Sequence, residues 1–107
     1  MVRIRITRDA ECIRRVRSTG HAIAQKGTDS AACASVSAVL KAFGLTIVES
    51  ESCDVRGGAP RPGLFDLECI GCRDREWFRG VGDLFVRSVT AIRDEWPNQV
   101  EVEIDEE

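Results

Sequence analysis

This 107-residue chain has one histidine, fewer basic than acidic residues and no long apolar run. We find no apolar run of about 18 or more residues, which predicts that no segment crosses a membrane. The first residues alternate charged and apolar side chains, so they lack the apolar stretch of a secretory signal. We expect a cytoplasmic protein with one domain over residues 1–107, because this length supports a single core.

The charge balance excludes the usual composition of a nucleic-acid-binding protein. The chain has 15 Lys and Arg against 18 Asp and Glu, a formal net charge of −3, whereas proteins that neutralise phosphates are usually basic overall. Arginines do concentrate near the start of the chain. We interpret them as a solvated strand face, and the alternative interpretation is a local basic surface. These arginines are Arg3, Arg5, Arg14, Arg15 and Arg17. We therefore expect no direct contact with nucleic acid.

Cysteine, by contrast, is abundant. The five cysteines are Cys12, Cys33, Cys53, Cys69 and Cys72. An odd number without a secretory signal predicts reduced thiols. Cys69 and Cys72 form a Cys-Ile-Gly-Cys motif, for which incidental thiols, a redox pair and a metal site all stay open. A structural zinc site needs four ligands, and few thiols remain to complete one. We therefore expect no metal and no cofactor.

Hydrophobic periodicity predicts the order of the secondary structure elements. Val2, Ile4 and Ile6 alternate with polar residues, which indicates a strand, and residues 12–19 would complete an antiparallel hairpin. The further predicted elements are a loop at 20–29, a helix at 30–43 ended by Gly44, a strand at 45–50, a loop at 56–63, a strand at 64–70, a helix at 74–96 and a strand from Val100. The order β-β-α-β-β-α-β predicts an α+β fold, a single domain with two helices packed on a mainly antiparallel sheet.

The one histidine, His21, lies in the loop before the first predicted helix, and Cys33 lies near the start of that helix. A thiol is a strong nucleophile as thiolate, which an imidazolium and the unpaired amides of a helix N-terminus stabilise. If Ser30 caps the helix, Cys33 is its third residue. His21 could accept the thiol proton and deliver it to a leaving amine. A buried structural cysteine with a surface histidine is the alternative.

Two segments of the chain resemble the ribosomal-processing cysteine protease family (Prp). The family signature is Gly-His-Ala, a loop, and Gly-x-Asp-Ile-Val-Cys-Ala-Ala-Val-Ser-Ala. The matching residues here are Gly20-His21-Ala22, Gly27-Thr28-Asp29 and Cys33-Ala34-Ser35-Val36-Ser37. In two respects the chain departs from the family. Asp29 stands four residues before Cys33 rather than three, and residues 23–26 lack the family's aromatic or acidic residue.

The resemblance implies a homodimeric cytoplasmic endopeptidase that acts in ribosome biogenesis. Its substrate would be the N-terminal extension of a large-subunit ribosomal protein (number twenty-seven). Cys33 would attack the scissile carbonyl, His21 would act as general base and acid, and amides at the helix start would bind the oxyanion. The implied supporting residues are Asp29, Ser30 and Ser37, and the implied residues of the loop over the peptide cleft are Gly20, Ala22 and Gly27.

Two other functions stay open from the sequence. One is a catalytically silent module for ribosome assembly or peptide binding, which would keep the fold without the reaction. The other is a thiol-redox protein that uses Cys69 and Cys72. A pure scaffold has no need of an imidazole in a loop facing a thiol at a helix start, and for this reason we favour the protease.

Overall fold

The order of helices and strands follows the prediction, with one short ribbon in addition. The structure is a computed structural model, and it describes residues 1–20, 23–25, 28–29, 31–61 and 63–107. The elements in these ranges are β1 (Val2–Asp9), β2 (Cys12–Thr19), β3 (Ile23–Gln25), β4 (Thr28–Asp29), α1 (Ala31–Glu49), β5 (Cys53–Arg61), β6 (Leu64–Cys72), α2 (Arg75–Glu95) and β7 (Val100–Glu106). The predicted α+β fold in the order β-β-α-β-β-α-β is confirmed by the five strands of the main sheet and the two helices.

Five strands form a mixed sheet in the order β5-β6-β2-β1-β7. β1 and β7 run parallel and the other neighbours run antiparallel, so the sheet is mainly antiparallel, as predicted. The pairing of β2 with β6 places Thr19 opposite Leu64. The Gly20 backbone N–H donates a hydrogen bond of 3.0 Å to the Gly63 carbonyl. The end of β2 therefore lies beside the tip of the β5–β6 hairpin.

The core lies between one face of this sheet and the two helices. Val2, Ile4 and Ile6 of β1 are all at most 2% exposed, because alternate residues of a strand point to the same face. The helices meet through Phe43 of α1 and Phe85 of α2, whose ring centroids stack 4.3 Å apart. Each fully buried aliphatic side chain contributes about 1.5–3 kcal/mol by leaving water. The apolar alternation in β1 therefore determines which sheet face the helices cover.

The opposite face of the sheet carries the arginines that cluster in the sequence. Arg3 pairs with Glu101 at 3.3 Å and Arg5 pairs with Asp105 at 2.7 Å, both across the parallel β1–β7 pairing. Arg15 pairs with Asp66 at 2.7 Å across β2 and β6. Exposed pairs of this kind contribute little stability each. They do neutralise the local positive charge, as expected for a solvated strand face.

Helix α1 is longer than predicted. It continues through Gly44 to Glu49, so the predicted strand at 45–50 is wrong. Ile47 extends the apolar stripe by one turn and is 1% exposed, and this burial offsets the roughly 1 kcal/mol that a helical glycine costs. By length and composition α1 is apolar enough to cross a membrane. The sequence pattern did not indicate this length, because Gly44 predicts the end of the helix after residue 43.

The glycine-rich segment predicted as a loop at 56–63 is mostly strand. β5 runs to Arg61 and pairs with β6, with register shifts between Asp54 and Val55 and between Gly58 and Arg61. Glycines allow a bulged strand as readily as a loop, and the pairing with β6 decides between them. The predicted loop at 20–29 also contains structure, because β3 and β4 pair antiparallel within it.

Candidate active site

Cys33 lies in the first turn of α1. The helix begins at Ala31, which makes Cys33 its third residue, as the sequence predicts. The first four backbone N–H groups of an α-helix have no acceptor within the helix, and the helix dipole concentrates positive charge there. Cys33 is partly exposed. A partly exposed thiol at this position can be reached by a ligand.

Cys33 opens onto a cleft of about 810 Å³ along one side of α1. Ser37 and Lys41 follow at intervals of four residues and line the same cleft, since residues four apart share a helix face. Lys41 is the one charged residue among the described residues that line it. The cleft is otherwise lined by apolar and small side chains, which suits an extended peptide with apolar side chains.

The opposite wall of the cleft is the tip of the β5–β6 hairpin, and sequence reasoning did not identify it. The wall residues are Gly57, Gly58, Ala59, Gly63, Leu64 and Phe65. The glycines in this segment were the one available signal, because they allow close approach of a ligand to the backbone. What they could not show is that this hairpin faces Cys33, which depends on the pairing of β2 with β6.

Gly20 and Gly57 of the cleft combine a positive φ with a lack of space for a Cβ. Gly20 has φ +90°, and a Cβ there would lie 2.2 Å from the Met1 carbonyl oxygen. Gly57 has φ +105°, and a Cβ there would lie 2.1 Å from the Asp66 carbonyl oxygen. Both contacts are far inside van der Waals distance, so both positions require glycine. The predicted placement of Gly20 at the cleft is consistent with this geometry, since Gly20 lines it.

Several predicted site residues lie outside the described residues. These are His21, Ala22, Gly27 and Ser30. Asp29 belongs to β4, where the structure describes the backbone pairing with Ile23. Of the predicted residues, the structure brings Gly20, Cys33 and Ser37 together at the cleft. The contact between His21 and Cys33 and the role of Asp29 stay predictions.

The charged pairs nearest to the hairpin lie on its solvent side. The Arg15 guanidinium donates hydrogen bonds to the carboxylate of Asp66 and lowers the pKa of that carboxyl from its usual 3.8. Arg56 lowers the pKa of Glu68 in the same way. A carboxylate that accepts hydrogen bonds from a cation is stabilised in its charged form. These carboxylates therefore stay ionised near neutral pH.

The cysteines of the Cys-Ile-Gly-Cys motif lie at the base of the β5–β6 hairpin. Cys69 and Cys72 lie on the same strand, β6, and the nearest partner of Cys72 is Cys53 of β5, with the two Sγ atoms 2.9 Å apart. Burial and the neighbouring thiols raise the pKa of Cys53 to about 12. Among the described residues, no group of three or more histidines, cysteines and acids is placed to hold a metal ion.

The fold matches solved structures over nearly its whole length. The S. aureus ribosomal processing protease Prp with a covalently linked product peptide matches with a TM-score of 0.81 at 20% identity, covering 98% of this chain and 100% of that chain. The same S. aureus protease with a substrate peptide matches with a TM-score of 0.74 at 19% identity, covering 98% and 100%. SMU.848 from Streptococcus mutans matches with a TM-score of 0.80 at 20% identity, covering 100% and 99%.

The sequence was also compared with curated proteins and with models of protein families. No curated protein sequence matches the chain. The family model of the cysteine protease Prp matches residues 1–101, which include Cys33, the cleft and nearly all of the sheet. The cysteine in the first helical turn and the peptide-sized cleft agree with such a family. The chain therefore belongs to the Prp family of cysteine proteases.

Proposed function

We propose that this chain is a cysteine endopeptidase in which Cys33 is the nucleophile and His21 is the general base and acid. The observation that carries this proposal is the position of Cys33, partly exposed in the first turn of α1 and open to a cleft of about 810 Å³. His21 follows Gly20 in the chain, and Gly20 lines the same cleft. This adjacency in the chain supports His21 as the base that acts on Cys33.

The proposed reaction has two steps. In the first, His21 takes the thiol proton, the Cys33 sulfur attacks the scissile carbonyl, and His21 then gives the proton to the leaving amine. Backbone N–H groups at the start of α1 donate hydrogen bonds to the oxyanion. In the second step, water activated by His21 attacks the thioester and releases the carboxylate product. The proton that His21 takes from this water returns to the Cys33 sulfur, so both residues are regenerated.

The substrate that we propose is the N-terminal extension of a large-subunit ribosomal protein (number twenty-seven), removed in the cytoplasm during ribosome biogenesis. The apolar lining of the cleft supports binding of apolar peptide side chains, because such side chains gain about 25 cal/mol for each Å² removed from water. The S. aureus protease solved with a product peptide and with a substrate peptide supports a peptide ligand for this chain as well.

We also propose that the enzyme acts as a homodimer, without direct contact to nucleic acid. Leu84 of α2 is 68% exposed and is therefore accessible to a second copy. Sedimentation equilibrium of the wild type and of Leu84→Glu tests this. A dimer mass that falls to the monomer mass in the variant supports Leu84 as part of the interface, whereas a monomeric wild type contradicts the proposal.

Peptide cleavage tests the catalytic proposal. The wild type is incubated with a peptide that spans the junction of the extension, and products are followed by mass spectrometry. We expect Cys33→Ala and His21→Ala each to lose activity by about 10³-fold or more, because nucleophile and base act as one unit. The matched control is Cys12→Ala, which removes a thiol at the far end of β2 and should keep wild-type activity.

Two outcomes of this experiment contradict the proposal. Full activity of Cys33→Ala with an intact circular dichroism spectrum would exclude Cys33 as the nucleophile. Binding of the peptide by the wild type without cleavage would instead support the catalytically silent module. Binding by Cys33→Ala, measured by fluorescence anisotropy, separates these cases, because the proposed enzyme keeps its apolar cleft when the sulfur is removed.

A further inference from the structure

Three cysteines gather at the base of the β5–β6 hairpin, away from the cleft. Cys53 begins β5 and Cys72 ends β6, and the two are direct cross-strand partners. Their Sγ atoms are 2.9 Å apart. The third, Cys69, lies on β6 opposite Val55 and also interacts with Cys53. The proposed peptide cleavage uses none of these three thiols, so any chemical role of the cluster is separate from it.

Strand geometry favours one pair from this cluster, because Cys53 lies directly opposite Cys72 whereas Cys69 lies opposite Val55. Residues directly opposite each other in an antiparallel pair have Cα atoms about 4.5–5.5 Å apart. This range suits a disulfide, whose Cα atoms lie about 4.4–6.8 Å apart. Cys69 and Cys72 are three residues apart along one strand, which separates their Cα atoms by about 10 Å. The Cys-Ile-Gly-Cys motif therefore cannot close on itself within β6, whereas Cys53 and Cys72 can be joined.

We propose that Cys53 and Cys72 are a redox-reactive dithiol that closes to a cross-strand disulfide by exchange with a small-molecule disulfide such as glutathione disulfide. Cys72 is partly exposed and reacts first. Its thiolate attacks one sulfur of the reagent, forms a mixed disulfide and releases one glutathione thiol. Cys53 then loses its proton to water and attacks the Cys72 sulfur, which releases the second glutathione thiol. Two protein thiols are oxidised and one reagent disulfide is reduced.

Burial of Cys53 controls the rate of the second step. Cys53 is 8% exposed, and burial is the main cause that raises its pKa from 9.0 to about 12 in the reduced protein. Burial still raises the pKa of Cys53 in the mixed disulfide, where Cys72 no longer carries a thiol. The thiolate, which is the attacking species, is therefore rare at neutral pH. Its fraction rises with pH while the pH is below the pKa. We expect the rate of ring closure to rise about tenfold per pH unit between about pH 7 and 9.

The disulfide would join the two ends of the hairpin whose tip lines the cleft. Cys53 and Cys72 are 19 positions apart in the chain, and a cross-link over a loop of this size restricts the unfolded chain. We expect the oxidised protein to melt about 10 °C higher than the reduced protein. The bond would hold one cleft wall in place without contact to Cys33.

The test uses the full chain with Cys33→Ser, so that the cleft thiol does not react with the reagent. The protein is incubated with glutathione disulfide, and intact mass, peptide mapping and the melting temperature are measured. We expect the mass to fall by two hydrogens, a linked peptide pair containing Cys53 and Cys72, and a rise in Tm that dithiothreitol reverses. Repeating the kinetics from pH 7 to 9 checks the expected dependence on the Cys53 thiolate.

Variants of the same protein separate the possible pairs. Cys69→Ser is the matched control and should keep the Cys53–Cys72 linkage, whereas Cys72→Ser should abolish it. A linkage through Cys69, a mixed disulfide that persists, or an unchanged mass would overturn the proposal. Peptide mapping of the Cys33→Ser protein gives this answer even if Cys72→Ser fails to fold. Peptide cleavage is not needed for any of these measurements, so the outcome is independent of the proposed function.

Discussion

The tip and the base of the β5–β6 hairpin differ in what their residues contribute. The tip faces the cleft with small residues such as Gly57 and Gly58, which leave space beside Cys33. The base packs Cys53 against Cys72, with their sulfur atoms 2.9 Å apart. One end of the same hairpin therefore provides space for a ligand, and the other end provides side chains that contact each other.

Cys33 and Cys53 show that the surroundings of a thiol determine its chemistry. Cys33 is partly exposed at a helix start and opens to a cleft. Cys53 is buried, and burial raises its pKa to about 12. The first position suits attack on a ligand, because a ligand in the cleft can reach the sulfur. The second keeps the proton on sulfur and makes reaction with outside reagents slow.

The largest expected effect is at the tip. Gly57→Ala places a Cβ 2.1 Å from the Asp66 carbonyl oxygen at φ +105°, so we expect a loss of about 3 kcal/mol in the free energy of unfolding. The control at the base is Gly71→Ala, where a Cβ meets nothing within 4 Å, and its effect should stay within about 0.5 kcal/mol. Urea denaturation measures both, and equal losses would remove the contrast between the two ends.

The second effect concerns reactivity. Relative to a thiol with the ordinary pKa of 9.0, the pKa of about 12 leaves Cys53 with far less thiolate near pH 7.5. The greater nucleophilicity of a more basic thiolate restores part of this loss, so we expect alkylation by iodoacetamide to be roughly 50-fold slower than for such a thiol. Mass spectrometry gives the rate for each cysteine. Labelling of Cys53 as fast as Cys33 would contradict the comparison.

A smaller effect is expected just beyond the base, where α2 begins. The Trp77 backbone N–H donates a 3.2 Å hydrogen bond to the Asp74 side chain, which caps the helix. Asp74→Ala should lower the free energy of unfolding by about 1 kcal/mol. Asp83→Ala, on the exposed side of the same helix, is the matched control and should have almost no effect. Thermal melts of both variants decide whether the cap stabilises this end of the hairpin.

The smallest effect is the pH dependence of the ion pair beside the tip. Arg15 lowers the folded-state pKa of Asp66, so the stabilisation is complete above the usual pKa of 3.8 and is lost as the pH falls below it. Asp66→Asn should lower Tm by about 2 °C at pH 6 and by less at pH 3, and added salt should reduce the difference. Asp54→Asn is the control, because it removes a carboxylate at the base of the hairpin instead of beside the tip. An equal shift at both pH values would contradict this assignment.

Strict periodicity made most of the fold predictable from the sequence. β1 and β2 were predicted from alternation, and α2 from an apolar stripe bounded by Asp74 and Pro97. The failures occurred at glycines. Gly44 predicts the end of α1, yet the helix passes through it because Ile47, one turn further on, is buried in the core among residues distant in the chain. Local propensity cannot indicate such a contact between distant residues.

Only the part of the site that lies on a single helix was predictable from the sequence. The position of Cys33 as third residue of α1, and of Ser37 one turn later, follows from helix spacing, and the structure places both at the cleft. The opposite wall, with Leu64 and Phe65, was not predictable. It is about thirty residues further along the chain, and its position depends on the register between β2 and β6. Nothing in the local sequence specifies that register.

The sequence by itself determined the periodic elements and the place of Cys33 at a helix start, because both depend on residues only a few positions apart. Only the tertiary structure decided which thiol faces Cys72. The sequence places Cys69 three residues away, and Cys53 lies 19 positions away. A strand extends by about 3.3 Å per residue, so near neighbours along it are kept apart. Pairing between strands brings distant residues into contact, and for this reason Cys53 is the partner.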